Sequence, residues 1–347
     1  MTHKMQTGRS PLRILFTADT HLGFDLPERP RVNRRRRGHD FFANYQRIIQ
    51  RVKTGDIDMF IHGGDLFYRS RIPQSLLIRV FEPLFEIADL GIPVCIIPGN
   101  HERSRIPFPL LASYSGIHVF HKPQTLIFKK NEMTIQLSAF PFIRKNVREM
   151  FKDIKRDFHQ NNIAANLRIL CMHQAVDGAR VGVQDFCFRN HPDVVDIRDL
   201  QERWDVVLAG HIHRHQILQD DLHGRKTSVP VIYAGSIERT SFAERQESKG
   251  FVILEANTDT SNEKLRITWK FERLPDRPMC LIEIWDRGQD MGRLQEELRC
   301  KINGLNPETI VRIKFRGGWK QLADQNISVN SLRELAPSTM NIDFGRF

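Results

Sequence analysis

The sequence predicts a layered α/β domain followed by a small α+β domain. In the first hundred residues, short apolar runs alternate with segments in which apolar residues recur at helical spacing. This strand–helix–strand order is typical of a layered fold whose ligands bind outside the carboxyl ends of the strands. Each of these apolar runs also ends in polar residues of metal-binding type. A Pro-containing linker at residues 274–278 separates a predicted domain of residues 1–273 from one of residues 279–347.

The elements follow from the apolar patterns. Aromatic and aliphatic residues at helical spacing predict a helix at residues 39–53, and a second helix at 73–90 has Pro73 in its first turn. The charged segment 144–161 is predicted as a surface helix. Strands of the larger domain are predicted at residues 12–18, 57–62, 92–97, 125–128, 133–140, 167–172, 204–209, 229–233, 251–254 and 265–271, the last three completing a second sheet. Beyond the linker, the pattern predicts a strand at 280–285, a helix at 291–302 and a strand at 309–315.

Composition narrows the function classes. The hydrophobic content is 40%, and no apolar run reaches the ~20 residues that a membrane-spanning helix needs. The polar N-terminus lacks the apolar core of a signal peptide, so we expect a cytoplasmic protein without a membrane partner. The five cysteines form no Cys-x-x-Cys pair and are expected to be reduced. The formal net charge of +11 favours a polyanionic partner such as nucleic acid.

Two basic segments are candidate DNA contacts. The first is an arginine-rich loop that follows the first polar motif, and the second is a strand with one apolar and one cationic face. In both segments an ordinary solvated surface remains an alternative to contact with phosphate. The loop contains Arg29, Arg31, Arg34, Arg35, Arg36 and Arg37, of which the last four are the candidates, and the strand face carries Arg312, Lys314 and Arg316.

Polar motifs at five strand ends predict a metal centre. Residues i and i+2 of an extended chain point to the same side, so both members of Asp-x-His or His-x-His can reach one metal region. A single histidine is more often structural, and we interpret His62 in that way. The joint pattern is far more specific because it recurs at successive strand ends. The motifs are Asp19-x-His21, Gly64-Asp65, Gly99-Asn100-His101-Glu102, His173 and Gly210-His211-x-His213.

These donors suit two divalent ions. Two ions about 3.5–4 Å apart can hold the attacking and leaving oxygens of a phosphoryl displacement, and Asp65 is the predicted bridging ligand. Asp19, His21 and His213 would complete one site, and Asn100, His173 and His211 the other. Oxygen and imidazole donors without thiolate favour Mn²⁺, Fe²⁺ or Zn²⁺. The remaining histidine of the third motif, His101, is the predicted catalytic residue, either stabilising charge or protonating the leaving oxygen, with Glu102 orienting its ring.

The motifs resemble the signature of the calcineurin-like metallophosphoesterases, over residues 12–255. Gly64-Asp65-Leu66-Phe67, Met172-His173-Gln174 and the segment GSIERT at 235–240 are similar to the SbcD-type nucleases of DNA double-strand-break repair. This resemblance implies a two-layered β-sandwich flanked by helices and a small DNA-binding cap after the linker. It also implies Mn²⁺ dependence, a homodimer, and an SMC-like ABC ATPase as partner.

Three departures from that pattern affect the expectations. Family members commonly have Gly-Asn-His-Asp, whereas this chain has the longer Glu102. Many members continue beyond the cap into helices that grip the ATPase, and this sequence ends at Phe347, which weakens the expectation of that partner. Some members carry a second histidine after Gly-Asp-Leu-Phe that is linked to end-directed cutting, and this chain has Tyr68 there. We therefore expect weak or differently arranged exonuclease activity.

The sequence thus predicts a Mn²⁺-dependent DNA nuclease, exonuclease or endonuclease, that acts in DNA repair or DNA-end processing. Two alternatives stay open at this point. One is a phosphatase or small-molecule phosphodiesterase of the same superfamily, which would share the metal residues. The other is a DNA-end-binding subunit with weak activity, against which the complete set of predicted ligands argues.

Overall fold

Two six-stranded sheets form the larger part of the molecule. The computed structural model describes residues 11–25, 35–102, 108–130, 132–160, 163–258, 265–285, 287–288, 291–317 and 333–344. The strands are β1 (Leu12–Thr17), β2 (Met59–His62), β3 (Val94–Ile96), β4 (Ile117–Val119), β5 (Gln124–Lys130), β6 (Met133–Phe140), β7 (Leu167–His173), β8 (Arg180–Val181), β9 (Phe186–Cys187), β10 (Val206–Gly210), β11 (Gln216–Asp220), β12 (Lys226–Tyr233), β13 (Gly250–Thr258), β14 (Leu265–Arg273), β15 (Met279–Trp285), β16 (Ile310–Arg316) and β17 (Asn341–Phe344). The helices are α1 (Gly38–Val52), α2 (Gln74–Asp89), α3 (Phe108–Ala112), α4 (Val147–Gln160) and α5 (Met291–Asn303).

The order of strands places the predicted strand ends side by side. The first sheet has the order β14-β13-β1-β2-β3-β4, and its β1, β2, β3 and β4 are parallel. The second sheet has the order β11-β12-β10-β7-β6-β5, with β12, β10, β7 and β6 parallel. The carboxyl ends of β1, β2 and β3 therefore share one sheet edge, and those of β7 and β10 share another.

The two sheets pack face to face and are covered by helices on their outer faces. One apolar cluster contains side chains of both sheets, such as Phe16 and Ile61 from the first and Ile169 and Leu208 from the second. A second cluster joins α1 and α2 to the first sheet, and a third joins α4 to the second sheet. Burial on both faces explains why the central strands are apolar runs without alternation. The predicted two-layered β-sandwich flanked by helices is confirmed.

One prediction of strand placement is wrong. Residues 251–254 and 265–271 were expected to complete the second sheet together with residues 229–233. Only β12 does so, whereas β13 pairs antiparallel with β1 and β14 pairs antiparallel with β13, so both extend the first sheet. Apolar runs show that a strand is buried but do not select its neighbour, and here the chain crosses from one sheet to the other between β12 and β13.

The segment after the linker forms a separate three-stranded parallel sheet of order β15-β16-β17, here called the cap sheet. Its own apolar cluster includes Ile284, Leu298 and Ile313, the second of which lies on α5. Arg277 of the linker joins the cap sheet to the larger domain, because it pairs with Asp40 on α1 at 3.0 Å, with both side chains buried, and donates to Asn341 on β17 at 2.7 Å. Of the cap elements, β17 was not foreseen from the sequence.

Helix lengths also bear on the membrane prediction. Among the residues that the structure describes, no helix is both long enough and apolar enough to cross a membrane. The helices predicted at 39–53 and 73–90 are α1 and α2, and each ends within two residues of its predicted bounds.

Candidate metal centre

The loops after β1 and β2 are held together by backbone hydrogen bonds. The amide of Asp19 donates to the carbonyl of Gly64 at 2.9 Å, and the amide of His21 donates to the carbonyl of Asp65 at 3.0 Å. From the second sheet, the amide of His211 donates to the Asp19 carboxylate at 3.1 Å. Side chains from both sheets therefore meet at one edge of the sandwich, as the spacing of the motifs predicts.

Several of these residues adopt a backbone conformation that favours glycine. Asp19, His21, Asp65 and His211 have φ values of +52°, +44°, +54° and +83°. Non-glycine residues in this region cost on the order of 1–3 kcal/mol each and persist where the surrounding structure imposes them. This strained backbone conformation directs all four side chains towards the space between the two sheet edges, which indicates a function there.

Glycines make the close approach of the two sheets possible. Gly64 has a φ of +105°, and a Cβ atom at this position would collide with the imidazole of His173. At Gly210, a Cβ atom would collide with the carbonyl of Gly63 and the same imidazole. These two glycines allow a strand-end loop of each sheet to pack directly against His173.

The first donor group consists of Asp19, His21 and His213. The Nε2 atoms of His21 and His213 are 2.9 Å apart, and a carboxylate oxygen of Asp19 lies 4.0 Å from the former and 3.9 Å from the latter. These three residues were predicted to share one ion, and their donor atoms lie within 4.8 Å of one another.

The second donor group consists of Asn100, His173 and His211. The side-chain oxygen of Asn100 lies 3.0 Å from His173 Nε2 and 2.9 Å from His211 Nδ1. The Nδ1 atom of His173 faces the carbonyl of Gly63 at 2.7 Å, which leaves its Nε2 atom towards the centre. This group too corresponds to a predicted set.

Asp65 lies between the two groups. Its Oδ2 atom is 3.4 Å from His173 Nε2 in the second group and 3.9 Å from His21 Nε2 in the first. Its other oxygen accepts the backbone amide of His101 at 2.9 Å. One carboxylate oxygen is therefore within reach of both groups, as a bridging ligand requires.

The donor separations fit metal ligation. Nitrogen ligands bind at about 2.0–2.1 Å, so two ligands at right angles on one ion are about 3.0 Å apart and two opposite ligands about 4.2 Å apart. The separations of 2.9–4.0 Å within the first donor group fall in this range. In the second donor group, the separations of 3.0 Å and 2.9 Å between the Asn100 oxygen and the nitrogens of His173 and His211 fall in the same range. The residues present thus fit a pair of divalent cations.

Burial and neighbouring charge set the protonation of the centre. Burial lowers the pKa of His21 well below its usual value and lowers the pKa of His211 to about 3, so both rings are neutral and able to ligate. Burial would also lower the pKa of His173, but Asp65 and Asp19 outweigh it and raise that pKa to about 9. For Asp65, burial favours the neutral acid, but His173 outweighs it and holds the pKa of this carboxyl far below its usual range.

A buried network orients His213. Its Nδ1 atom lies 3.1 Å from the carboxylate of Glu244, which in turn accepts Lys249 Nζ at 2.7 Å. The side chain of Lys249 is fully buried and also pairs with Glu247 at 3.0 Å. If Nδ1–H of His213 donates to Glu244, Nε2 presents its lone pair to the centre, and this is how ligating histidines are held in many metal sites.

The third motif holds the predicted catalytic histidine. Nδ1 of His101 faces the carbonyl of Tyr68 at 2.6 Å, while its Nε2 atom is 3.8 Å from Asp65 Oδ2. About a third of the side chain is exposed, so an incoming molecule can reach it. The donor atoms of His21, Asp65 and His101 also lie within 4.8 Å of one another, which makes ligation by His101 an alternative to acid catalysis.

The prediction that Glu102 orients the ring of His101 is wrong. The Glu102 carboxylate instead accepts the backbone amides of Asp65 and Phe67 at 3.0 Å and of Gly99 at 2.6 Å. Burial, together with the charge of Asp65, raises the pKa of Glu102 to about 7. The side chain reaches back to the loop after β2, so this residue ties the second and third motifs together.

The predicted basic loop is only partly described, because Arg29, Arg31 and Arg34 lie outside the described residues. Arg35 forms ion pairs with Asp40 and Glu308, and Arg36 pairs with Asp25 at 2.7 Å. Arg37 is half-buried and donates to the carbonyl of Arg239. These arginines therefore connect the loop to α1, the cap and the segment around residue 239.

On the cap sheet, the predicted cationic face is interrupted by acidic neighbours. Arg312 Nε donates to Asp343 on β17 at 2.8 Å, and Arg316 pairs with Glu283 on β15 at 2.6 Å. Within the described part of the chain, Lys314 has no ion pair. The alternation along β16 agrees with the prediction, but that alternation does not show that the flanking strands bring carboxylates beside the arginines.

Residues missed from the sequence serve mainly to orient the donors. Glu244, Lys249 and Thr240 surround His213, and the hydroxyl of Thr240 donates to Glu244 at 2.6 Å. Thr240 is the last residue of the segment 235–240, whereas the only sequence signal for Glu244 and Lys249 is the polar turn that follows that segment. His62, interpreted as structural, is indeed buried and lies 3.0 Å from the Thr20 hydroxyl.

Comparisons with known proteins show what this chain is similar to. Residues 12–215 match the model of the calcineurin-like phosphoesterase family. The DNA double-strand break repair protein Mre11 of Haloferax volcanii is 25% identical over 307 residues, covering 88% of this chain and 61% of that protein. The SbcD component of the nuclease SbcCD of Staphylococcus saprophyticus is 25% identical over 359 residues, covering 95% of this chain and 84% of that protein. This chain thus spans less than two thirds of the Haloferax relative.

Among solved structures, a dimetal phosphatase from Danio rerio is similar in part, with 14% identity and a TM-score of 0.45 over 76% of this chain and 96% of that chain.

The family match takes in more than half of the sequence and extends from β1 to just beyond His213. Both donor groups and Asp65 fall inside it. The chain therefore belongs to the calcineurin-like phosphoesterase family.

Proposed function

We propose that this protein is a DNA nuclease that hydrolyses phosphodiester bonds with two divalent ions. The observation that carries the proposal is the position of Asp65, whose Oδ2 atom faces both donor groups at 3.4–3.9 Å. A shared carboxylate between two sets of oxygen and imidazole donors is the arrangement that two-metal phosphoryl chemistry needs.

Each predicted ligand has a role in this proposal. Asp19, His21 and His213 hold one ion, and Asn100, His173 and His211 hold the other, with Asp65 between them. When bound, the ions supply Lewis-acid stabilisation of the phosphoryl oxygens and activate the attacking water. Mn²⁺ is the proposed metal, because the donors are oxygens and imidazoles and because the SbcD-type resemblance implies it.

The protein residues contribute position and proton transfer. His101 is fixed by the contact of its Nδ1 atom with the Tyr68 carbonyl at 2.6 Å, so its Nε2 atom is directed towards the centre. When both ring nitrogens carry protons, Nε2 can donate one to the leaving oxygen of a phosphodiester. The partial exposure of this ring, in contrast to the buried His21, suits a group that meets the substrate.

DNA is the proposed substrate on two grounds. The net charge of +11 favours a polyanion, and the two relatives described above are, by name, a DNA double-strand break repair protein and part of a nuclease. We extend the proposal to the basic segments, with Arg34, Arg35, Arg36, Arg37, Arg312, Lys314 and Arg316 as candidate phosphate contacts. A homodimer, an SMC-like ABC ATPase partner and a cytoplasmic location, all implied by the resemblance or expected from the sequence, belong to the same proposal.

The test is a nuclease assay on defined ends. Linear single-stranded, linear double-stranded and circular single-stranded DNA are incubated with Mn²⁺, with Mg²⁺ or with chelator, and Asp65→Asn serves as the inactive control. We expect Mn²⁺-dependent cleavage by the wild type alone. Cleavage of a nitrophenyl phosphodiester without cleavage of any DNA would instead identify a small-molecule phosphodiesterase. DNA binding without hydrolysis of either substrate would identify an end-binding protein.

A further inference from the structure

A cavity borders the candidate metal centre on the side of the second donor group. Its volume is about 390 Å³, within the roughly 300–1,000 Å³ range of ligand pockets. The residues that line it all belong to the larger domain, and one of them is a proposed metal ligand. We call this cavity the Phe142 pocket, and its walls are formed by Gly99, Asn100, Glu102, Phe142 and Arg144.

The loop between β6 and α4 is fixed to the metal centre. The backbone amide of Phe142 donates to the carbonyl of Pro98 at 3.0 Å, directly before the third motif. The side-chain amide of Gln174, the residue after the proposed ligand His173, donates to the carbonyl of Ile143 at 3.2 Å. Side chains of this loop are therefore held in a defined position relative to the proposed second ion.

The ring of Phe142 lies against the imidazoles of the second donor group. Its centre is 5.4 Å from that of His211 and 6.0 Å from that of His173. The side chain is half-buried, so part of the ring remains exposed in the wall of the pocket. Aromatic rings beside a nucleic-acid backbone are surfaces on which bases stack, and every base has a flat face for this contact. The ring is therefore placed to meet the base of a nucleotide whose neighbouring phosphate lies at the metal centre.

Arg144 adds a positive charge to the same pocket. Its side chain is exposed and forms no ion pair with the residues that the structure describes. Glu102 also lines the pocket, but its carboxylate is engaged by the backbone amides of Asp65 at 3.0 Å and Gly99 at 2.6 Å. The guanidinium is therefore free to bind a phosphate, with which an arginine can form two parallel hydrogen bonds.

We propose that the Phe142 pocket binds one nucleotide next to the scissile phosphate, with its base stacked on Phe142 and its phosphate bound by Arg144. This inference rests on the proposed nuclease function and adds a residue that determines specificity to the same site. Stacking strength differs between bases and produces modest sequence preferences. Because a purine has the larger flat face, purines should be preferred over pyrimidines at this one position.

A purely structural role for Phe142 leads to a different expectation. If the ring only supports the imidazoles of His173 and His211, its loss weakens metal binding and slows the cleavage of every substrate. Stacking, in contrast, is lost only when the substrate has a base at the contacted position. The two roles are therefore separated by removing the base as well as the ring.

The experiment removes one base at a time. Oligonucleotides carry a single abasic site, scanned along both sides of the cleavage position, and are single-stranded or annealed to a complement according to which form is cleaved. KM and kcat are measured with Mn²⁺. We expect one position at which the missing base raises KM about tenfold, within the range that stacking of one base contributes. At that position KM should increase from purine to pyrimidine to abasic site.

Phe142→Leu tests the ring. With the complete strand, KM should rise about tenfold. With the strand that is abasic at the sensitive position, wild type and variant should have the same KM, because two groups that act through one contact are not additive. Metal content should equal that of the wild type, and Phe142→Trp should retain the response to the missing base. The matched control is Phe128→Leu, since Phe128 on β5 lies opposite Ile135, at the end of β6 remote from the pocket.

Arg144→Gln tests the phosphate contact. The salt dependence of DNA binding should fall by a slope of about 0.7 with a single strand or about 0.9 with a duplex, the values for one phosphate contact. Lys226 is 80% exposed and pairs with Asp220, so Lys226→Gln should leave the slope unchanged and serves as the control. An unchanged slope in Arg144→Gln would contradict the role of this arginine.

The outcomes distinguish this inference from the proposed function. If the wild type cleaves DNA but no abasic position raises KM, or if Phe142→Leu keeps the full response, the inference is wrong although the nuclease function stands. Loss of metal in Phe142→Leu, together with slower cleavage of the abasic strand, would also overturn it and assign the ring to support of the imidazoles. If the wild type cleaves no oligonucleotide, the proposed function falls and the inference falls with it. The scan of the wild type alone can refute the inference, so the test does not depend on the folding of a variant.

Discussion

The candidate metal centre and the charged face of the cap sheet both contain several charged side chains, but the charges are balanced differently in the two regions. At the metal centre, Asp19 and Asp65 are buried, and within the described residues their ion-pair partners are all histidines. On the cap sheet, Arg312 and Arg316 each face a carboxylate of a neighbouring strand. Among the described residues, no lysine or arginine pairs with the two carboxylates of the first region, whereas carboxylates of neighbouring strands balance the two arginines of the second.

This difference indicates where function is to be expected. Buried carboxylates that no lysine or arginine compensates are stable only if protons or metal ions supply the positive charge. A surface whose arginines already have partners produces a weak field and binds anions less strongly. Substitutions at the centre should therefore have large effects, and those on the cap face should have small ones.

The largest effect is expected for Asp65→Asn. Because the carboxylate faces both donor groups, its loss should reduce the binding of both ions. Activity should therefore fall further than on loss of a single general acid or base, which contributes about 10²–10⁴-fold. Metal content after dialysis measures this directly, with His21→Ala as the comparison that should lose mainly one ion. Retention of two full ions by Asp65→Asn would contradict the bridging role.

His101→Ala should lower turnover by roughly 10²–10⁴-fold, the contribution of a general acid, while metal content and DNA affinity stay close to those of the wild type. The ring touches the Tyr68 carbonyl and faces Asp65, but it belongs to neither proposed ligand set. Single-turnover kinetics at saturating Mn²⁺ provide the measurement. If metal is lost together with activity, His101 is a ligand.

Glu244→Gln should weaken metal affinity or activity by about 10–100-fold, as is usual when a partner of a ligating histidine is removed. The matched control is Glu247→Gln. Both carboxylates contact Lys249, at 2.7 Å and 3.0 Å, but of the two only Glu244 lies beside His213 Nδ1. Mn²⁺ titrations should therefore show weaker metal affinity for Glu244→Gln than for Glu247→Gln. Equal losses of affinity would mean that the two carboxylates act by holding Lys249 and not by orienting His213.

Tyr68→His should change the ratio of end-directed to internal cutting severalfold and leave the overall rate of cleavage nearly the same. The Tyr68 ring lies 5.6 Å from that of His101 and 5.9 Å from that of His21. A protonated imidazole at this position could hold the phosphate of a DNA end by its charge, whereas a phenol can only donate a hydrogen bond. We expect a higher ratio of cutting at blunt duplex ends to cutting of circular single strands. Tyr68→Phe keeps the ring and should leave the ratio as it is. An unchanged ratio in Tyr68→His would show that the residue only packs against its neighbours.

The smallest effects concern the cap face. Lys314→Gln should lower the salt dependence of DNA binding by a slope of about 0.9, the value for one phosphate contact. Arg316→Gln should lower it by less, because Glu283 at 2.6 Å already balances that charge. Binding isotherms at several salt concentrations separate the two variants. A larger change of the salt slope for Arg316→Gln than for Lys314→Gln would contradict the idea that nearby carboxylates weaken phosphate binding by these arginines.

The sequence was sufficient for features that depend on one strand at a time. Polar residues after neighbouring parallel strands of one sheet must meet at its edge, which is why Asp19 and Asp65 were expected to lie close together, as they do. Features that depend on the neighbours of a strand could not be predicted from the sequence. The pairing of β13 with β1, the acceptance of three backbone amides by Glu102, and the carboxylates beside Arg312 and Arg316 all follow from tertiary contacts that apolar periodicity does not encode.

The left-handed backbone at Asp19, His21, Asp65 and His211 has a consequence for how this chain can change over evolutionary time. Each of these residues sits in a conformation that glycine adopts at lower cost, and the first three also place a polar group in the interior. The fold would therefore tolerate, and could gain from, their replacement. Selection for stability alone would replace these four residues, so only selection for activity can retain their side chains.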